Sequence, residues 1–154
     1  MSEGPNIAFN PMKIGVGLLV FSYVIGEFII PKYPLFYAIK LIGILGLISS
    51  TFIFISGFNI FKSYEENPDP ASTTNRIIKT GIFAYTRNPI YLSFVMFLLS
   101  MFLIFENVMY FLSAVGFAIW LHNYVIKLEE NFLLNKFSDE YSRYMKAVKR
   151  WIFF

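Results

Sequence analysis

At 154 residues the chain is long enough for one domain, but 56% of its residues are hydrophobic and only 15% are charged, too few for an ordinary soluble surface. The lack of cysteine excludes disulfides, thiolate metal sites and cysteine nucleophiles, and a single histidine excludes a multi-histidine metal centre. The net charge of +3 is modest. We therefore expect one all-α integral membrane domain over residues 1–154, a polytopic helical bundle surrounded by the lipid bilayer, with no nucleic-acid partner.

Four apolar segments predict membrane-spanning helices, at residues 14–30, 35–61, 90–105 and 108–126. The first lacks a small-residue cleavage site, so we expect it to be retained rather than removed as a signal peptide. Glu27 and Lys40 lie at comparable depths in the first two segments. They either form an ion pair or both extend to the membrane surface, because an unpaired charge in lipid is costly.

The polar loop 62–89 and the polar tail 127–154 connect and follow these segments. The tail predicts a final amphipathic helix with Ser138 as its N-cap. Its apolar residues recur at intervals of three and four, which places them on one helical face: Phe137, Tyr141, Tyr144 and Val148. Two arrangements fit this pattern: the helix lies on anionic headgroups, or it packs on the rest of the protein with a basic face in water.

The distribution of basic residues predicts the topology. Four spans place 11 of the 13 Lys and Arg residues on one side of the membrane, in the loop, the tail and Lys13. Because basic residues concentrate on the cytoplasmic side, we expect a multi-pass protein with both termini in the cytoplasm. The loop 62–89 and the tail 127–154 then share the cytoplasmic face.

The beginning of the third apolar segment is the most informative stretch. Asn88 is a favourable N-cap, and Pro89 suits the first helical position. A helix N-terminus offers unpaired amides and a partial positive charge to an anionic group, and Arg87 adds a full charge beside it. Aromatic side chains flank this helix start: Phe83, Tyr85 and Tyr91.

Two adjacent carboxylates, Glu129 and Glu130, follow the last apolar segment by a few residues. Each must stay hydrated or find a cationic partner. Neighbouring positions on a helix diverge by about 100°, so we expect only one of them to face inward. His122 lies seven residues before Glu129 on nearly the same face, where it is either a hydrogen-bonded structural residue or a base near the substrate.

Other chemistries have little support. One histidine and two carboxylates form no recognisable metal-ligand set. The segments are too uniformly apolar for a transporter, and no glycine-rich phosphate loop is present. These features place any chemistry at the cytoplasmic interface.

Four pieces in order carry a family resemblance: Gly-x-Phe-x-x-x-Arg-Asn-Pro-x-Tyr at residues 81–91, a short helical hairpin, Glu-Glu at 129–130 and Phe-x-x-Glu-Tyr-x-x-Tyr at 137–144. Together they resemble the isoprenylcysteine carboxyl methyltransferase family. That family belongs to a wider group of membrane methyltransferases that includes phospholipid N-methyltransferases. The similarity extends over about residues 75–150, half of the chain.

The resemblance implies an S-adenosylmethionine site that releases S-adenosylhomocysteine, and a lipophilic or lipid-anchored methyl acceptor. The implied cofactor-binding residues are Asn75, Arg76, Ile77, Ile78, Gly81, Phe83, Asn88, Pro89, Ile90, Tyr91 and Glu129. The candidate catalytic residues are Arg87, Glu130 and His122, the latter two because an amine acceptor must lose a proton. The methyl sulfonium is already activated, so placement supplies most of the catalysis.

The chain departs from the family pattern at two positions. Asn88 stands where the eukaryotic enzymes have histidine, and Val125 where they carry a substrate-binding arginine. The acceptor is therefore open between a prenylcysteine carboxylate and a lipid amine. A non-catalytic membrane scaffold that retains the fold is the competing hypothesis, and the oligomeric state is not predicted.

Overall fold

The computed structural model describes residues 4–152 and is all-helical, with no strand in that range. The five α-helices are α1 (Pro11–Phe28), α2 (Tyr37–Ser63), α3 (Pro89–Phe105), α4 (Val108–Trp120) and α5 (Lys127–Ala147). A π-helical segment, Leu121–Ile126, joins α4 to α5 without a break, and a 3₁₀ turn, Gly81–Ala84, lies in the loop before α3. The predicted helical bundle is confirmed.

Three helices are long and apolar enough to cross a membrane: α1, α2 and the continuous helix that begins with α4. The shorter α3, of 17 residues, is also apolar. Large apolar side chains such as Phe52 and Ile48 are exposed on α2, as expected for a surface solvated by lipid. The protein is therefore a membrane protein, and we treat the polar α5 as lying outside the membrane.

The helices pack in the order α2, α3, α4 and α1, and the most extensive packing is between α2 and α3. Small residues allow these close approaches, as is common between membrane helices. A Cβ atom at Gly43 in α2 would lie 2.9 Å from Leu103 of α3, and one at Gly26 in α1 would overlap the Asn107 side chain. This alternation brings the beginnings of α1 and α3 and the ends of α2 and the π segment to one end of the bundle.

At the opposite end of the bundle, the ion pairs differ from the Glu27–Lys40 pair that was one of the two predicted arrangements. Glu27 pairs with Lys32 at 2.8 Å rather than with Lys40. Lys40 instead pairs with Glu106 at 3.1 Å, and the Glu106 carboxylate also accepts the backbone N–H of Leu35. Glu106 lies in the turn between α3 and α4, a partner that sequence spacing does not indicate.

The C-terminal part also differs from prediction. Ser138, the predicted N-cap, is non-helical, with φ of 40° and ψ of −111°, and separates two helical parts of α5 that meet at a kink there. Tyr141 and Tyr144 are buried against the protein, so the apolar face of this helix packs on the fold rather than on headgroups. After α5 the chain turns back in extended conformation at Val148 and runs toward the beginning of α3. We call residues 148–152 the C-terminal strap.

Candidate functional site

A polar cleft opens at the end of the bundle where α1 and α3 begin. Its empty volume is about 790 Å³, a value that includes the open mouth. Most residues singled out from the sequence line it: Arg76, Ile77, Ile78, Phe83, Arg87, Asn88, Glu129 and Glu130. A smaller adjoining pocket shares Glu129 with the cleft and is also lined by Pro89, Ile90 and Tyr91. The fold thus brings together residues that are distant in the chain.

Three predicted residues line neither the cleft nor the adjoining pocket. The backbone N–H of Asn75 donates to both carboxylate oxygens of the buried Glu66 at 3.1 and 3.2 Å, which folds the loop beside the cleft. Gly81 adopts φ of +58° and packs against Ile60, where a Cβ atom would lie 2.5 Å from the Ile60 side chain. These two residues shape the walls. His122 lies farther away and is described below.

Arg87 and Glu130 form the buried ionic centre of the site. Arg87 Nη2 lies 3.1 Å from Glu130 Oε1, and the two side chains are only 8% and 7% exposed. The same carboxylate binds Arg150 through Nε, at 3.0 Å, and through Nη2. The Nε and Nη1 atoms of Arg87 have no hydrogen-bond partner among residues 4–152. A buried guanidinium with two unpaired donors is costly unless an anionic group completes it.

Glu129 is the second ionisable group of interest in the site, because it has no cationic partner among the described residues. No lysine or arginine of the described range lies within 4 Å of its carboxylate. Burial raises the pKa of Glu129 to about 8, and the neighbouring Tyr91 hydroxyl partly opposes this shift. Both glutamates therefore line the cleft, in contrast to the expectation that only one would face inward.

Asn88 occupies the N-cap position of α3, as predicted, but its side chain does not cap the helix. Its amide Nδ2 instead donates to the backbone carbonyl of Arg150 at 3.0 Å. Pro89 is the first helical residue, as expected. The beginning of α3 is thus held by the C-terminal strap, and its amides remain directed toward the cleft end of the bundle.

Aromatic side chains form one wall. Phe83 is buried and packs edge-to-face on Phe61 with ring centroids 5.5 Å apart. The Tyr144 hydroxyl donates to the Phe83 carbonyl at 2.7 Å, and Tyr141 lies beside Tyr144. Burial raises the pKa of both tyrosine hydroxyls, so they remain neutral. This wall offers flat, uncharged faces to an aromatic or cationic ligand.

Sequence reasoning missed a third carboxylate in the cleft. Asp69 lies in the Asn67–Pro70 stretch, which the proline pattern had identified only as a loop. Its Oδ1 accepts the N–H of Ala71 at 3.0 Å, which fixes the carboxylate in a turn. Asp69 lies close enough to raise the pKa of Glu129. The Asn-Pro-Asp-Pro spacing signals a turn, but nothing in it signals that the turn faces the site.

His122 lies on the other side of Glu130 from the cleft. Arg150 Nη1 donates toward its ring, 3.1 Å from Nε2. His122 belongs to the π-helical segment, in which the residues per turn exceed those of an α-helix. This change of winding accounts for the loss of the common face with Glu129 that α-helical spacing predicts.

These observations define an all-helical membrane protein with a polar cleft at one end of its bundle. A sequence profile of the phospholipid methyltransferase family matches residues 38–140, two thirds of the chain, and the chain belongs to that family. The family is one of membrane methyltransferases, which agrees with the wider group to which the sequence motifs point. An uncharacterised protein of Haemophilus influenzae is 37% identical over 62 residues, which is 40% of this chain and 98% of that protein.

Proposed function

We propose that the protein is an S-adenosylmethionine-dependent methyltransferase that acts on a lipophilic acceptor. One observation carries this proposal: the cleft holds a buried cation with two donors that lack a partner, Arg87, and a half-buried carboxylate, Glu129, with no cationic partner among the described residues. Opposite unmet charges in one cleft are the complement of a zwitterion. The α-amino-acid end of S-adenosylmethionine presents such a carboxylate and ammonium.

In this arrangement Arg87 binds the carboxylate of the cofactor through Nε and Nη1, and Glu129 binds its ammonium. The aromatic wall around Phe83 and Tyr141 then faces the adenine or the sulfonium, since sulfonium cations are attracted to aromatic faces. The predicted binding roles of the segment 76–78 fit this placement, because its side chains line the same cleft.

Methyl transfer requires placement more than acid or base chemistry. The acceptor atom attacks the methyl carbon in line with the sulfur, the sulfur–methyl bond breaks, and its electron pair remains on S-adenosylhomocysteine. Glu130 is held by two guanidinium groups, those of Arg87 and Arg150. We therefore propose that Glu130 orients Arg87, and that His122, which lies outside the cleft, does not act as the base.

The acceptor is either a lipid amine or a prenylcysteine carboxylate. Three guanidinium groups, those of Arg76, Arg87 and Arg150, lie in or beside the cleft opposite three carboxylates, those of Asp69, Glu129 and Glu130. The charges of the site are therefore compatible with either acceptor, and the assay with both lipid classes decides between them.

The test is calorimetric titration of the detergent-purified protein with S-adenosylhomocysteine. We expect one saturable site that Glu129→Gln weakens and that Asp139→Asn, a charge change in exposed α5, leaves intact. Incubation with methyl-labelled S-adenosylmethionine and lipids that carry primary amine or carboxylate headgroups then identifies the acceptor. Folded protein that shows neither heat nor thermal stabilisation would favour the non-catalytic scaffold.

A further inference from the structure

The C-terminal strap is bonded to the turn that carries Arg87. The backbone N–H of Arg87 donates to the Lys149 carbonyl at 3.0 Å. The carbonyl of Arg150 accepts two side-chain hydrogen bonds, from Thr86 Oγ1 at 3.1 Å and from Asn88 Nδ2 at 3.0 Å. Three consecutive residues before α3 are thus tied to two consecutive residues of the strap.

The strap is anchored beyond Arg150 as well. Trp151 is only 8% exposed and belongs to the hydrophobic core that includes Tyr91 and Val125. An anchored strap holds the Arg150 side chain in a defined direction, toward α5. The anchored backbone restricts the directions that the Arg150 side chain can take, so this side chain loses less conformational entropy when it binds Glu130.

Arg150 holds the carboxylate that holds Arg87. Its Nε and Nη2 bind the two oxygens of Glu130, in the fork geometry that restricts both position and rotation of a carboxylate. Glu130 Oε1 in turn receives Arg87 Nη2. The guanidinium of Arg87 is therefore oriented by two successive contacts, and its remaining donors Nε and Nη1 are buried without a hydrogen-bond partner among residues 4–152.

We propose that Arg150 is a positioning residue of the cofactor site, which acts through Glu130 to orient Arg87 toward the carboxylate of the cofactor. This inference rests on the proposed function for the identity of the ligand. Arg150 does not line the cleft and touches no cofactor in this arrangement. Its effect is specific to one ligand group, the carboxylate, and this specificity distinguishes positioning from general structural support.

The test compares the affinities of S-adenosylhomocysteine and its decarboxylated analogue, the same nucleoside without the carboxylate. Wild-type protein should prefer the complete nucleoside by about tenfold or more, the range of one charge-assisted hydrogen bond. Arg150→Gln should reduce this preference to about threefold or less while changing affinity for the analogue little. Arg150→Lys keeps the charge but not the fork, and should give an intermediate preference. Lys149→Gln, an exposed neighbour, is the matched control.

Thermal unfolding in the absence of nucleoside tests the same contacts between Arg87, Glu130 and Arg150. Glu130 keeps one guanidinium in Arg87→Gln or Arg150→Gln and loses both in the double variant, so the fall in melting temperature should exceed the sum of the single losses. Additive losses, an unchanged nucleoside preference in Arg150→Gln, or equal weakening of both nucleosides would overturn the inference. Wild-type protein that binds neither nucleoside would instead refute the proposed function.

Discussion

Replacement of Glu129 by glutamine tests the cleft most directly, because it removes the charge and keeps the shape. A hydrogen bond to a charged group contributes about 1.5–3 kcal/mol. At 1.4 kcal/mol per tenfold change, loss of the charged form should weaken binding of S-adenosylhomocysteine by about 10- to 100-fold. The Glu129 carboxylate is half-buried and has no cationic partner among residues 4–152, so the full range applies at high pH.

The pH dependence makes this prediction specific. The pKa of Glu129 is raised to about 8 in the ligand-free protein, so below pH 8 the bound ammonium must displace a proton. The affinity of the wild type should therefore rise about tenfold per pH unit from pH 6 and become constant above pH 8. The glutamine variant should show no such rise, and the two affinities should converge near pH 6.

Thermal unfolding without ligand provides the second readout. Because the folded-state pKa of Glu129 lies above the unfolded value near 4.5, its contribution to stability is complete below pH 4.5 and is lost as the pH rises through 8. Glu129→Gln should thus gain stability relative to wild type over this window while it loses affinity. Calorimetry and melting curves from pH 5 to 9 test both trends. If Glu129→Gln bound S-adenosylhomocysteine as tightly as the wild type at pH 8.5, or kept the wild-type pH profile, the assignment of Glu129 would be refuted.

Three further outcomes are expected. Gly81→Ala forces a left-handed backbone on a residue with a side chain, and should lower the free energy of unfolding by about 1–2 kcal/mol in thermal denaturation. Tyr144→Phe leaves the Phe83 carbonyl without its donor and should cost about 1–3 kcal/mol, with weaker nucleoside binding in the same titration. Because the chain lacks cysteine, single-cysteine variants can test the topology. Thr73→Cys should react with a membrane-impermeant thiol reagent only from the cytoplasmic side, and Tyr33→Cys only from the opposite side; the reverse pattern would contradict the predicted orientation.

The helical class and the gathering of site residues were predictable because both follow from local patterns. Apolar segment lengths predict the bundle, and Pro89 correctly predicts where α3 begins. The alternation of helices places the residues before α3 and after α4 at the same end, which is sufficient to bring Arg87 near the Glu129-Glu130 pair. The number of membrane crossings and the orientation stay predictions, since composition alone supports them.

The partners of individual side chains were not predictable in the same way. Asn88 has the composition of a cap, but its amide bonds to a carbonyl 62 residues later in the chain. Glu27 pairs with the nearby Lys32, and Lys40 pairs with Glu106, which lies in a turn that is distant in the chain. Such choices depend on which groups the tertiary fold brings within about 3 Å, and short-range spacing contains no information on that.

The tail shows why a basic C-terminus should not be assigned to the membrane surface from its charge alone. Lys149 and Arg150 are both basic, but Lys149 is exposed, whereas Arg150 binds the buried carboxylate of Glu130. The two differ in their surroundings: Trp151, next to Arg150, is buried and anchors the strap, and Arg150 is directed toward Glu130. A large aromatic residue next to an arginine at the end of a membrane protein is thus a sequence signal worth testing for a returning segment that completes a site.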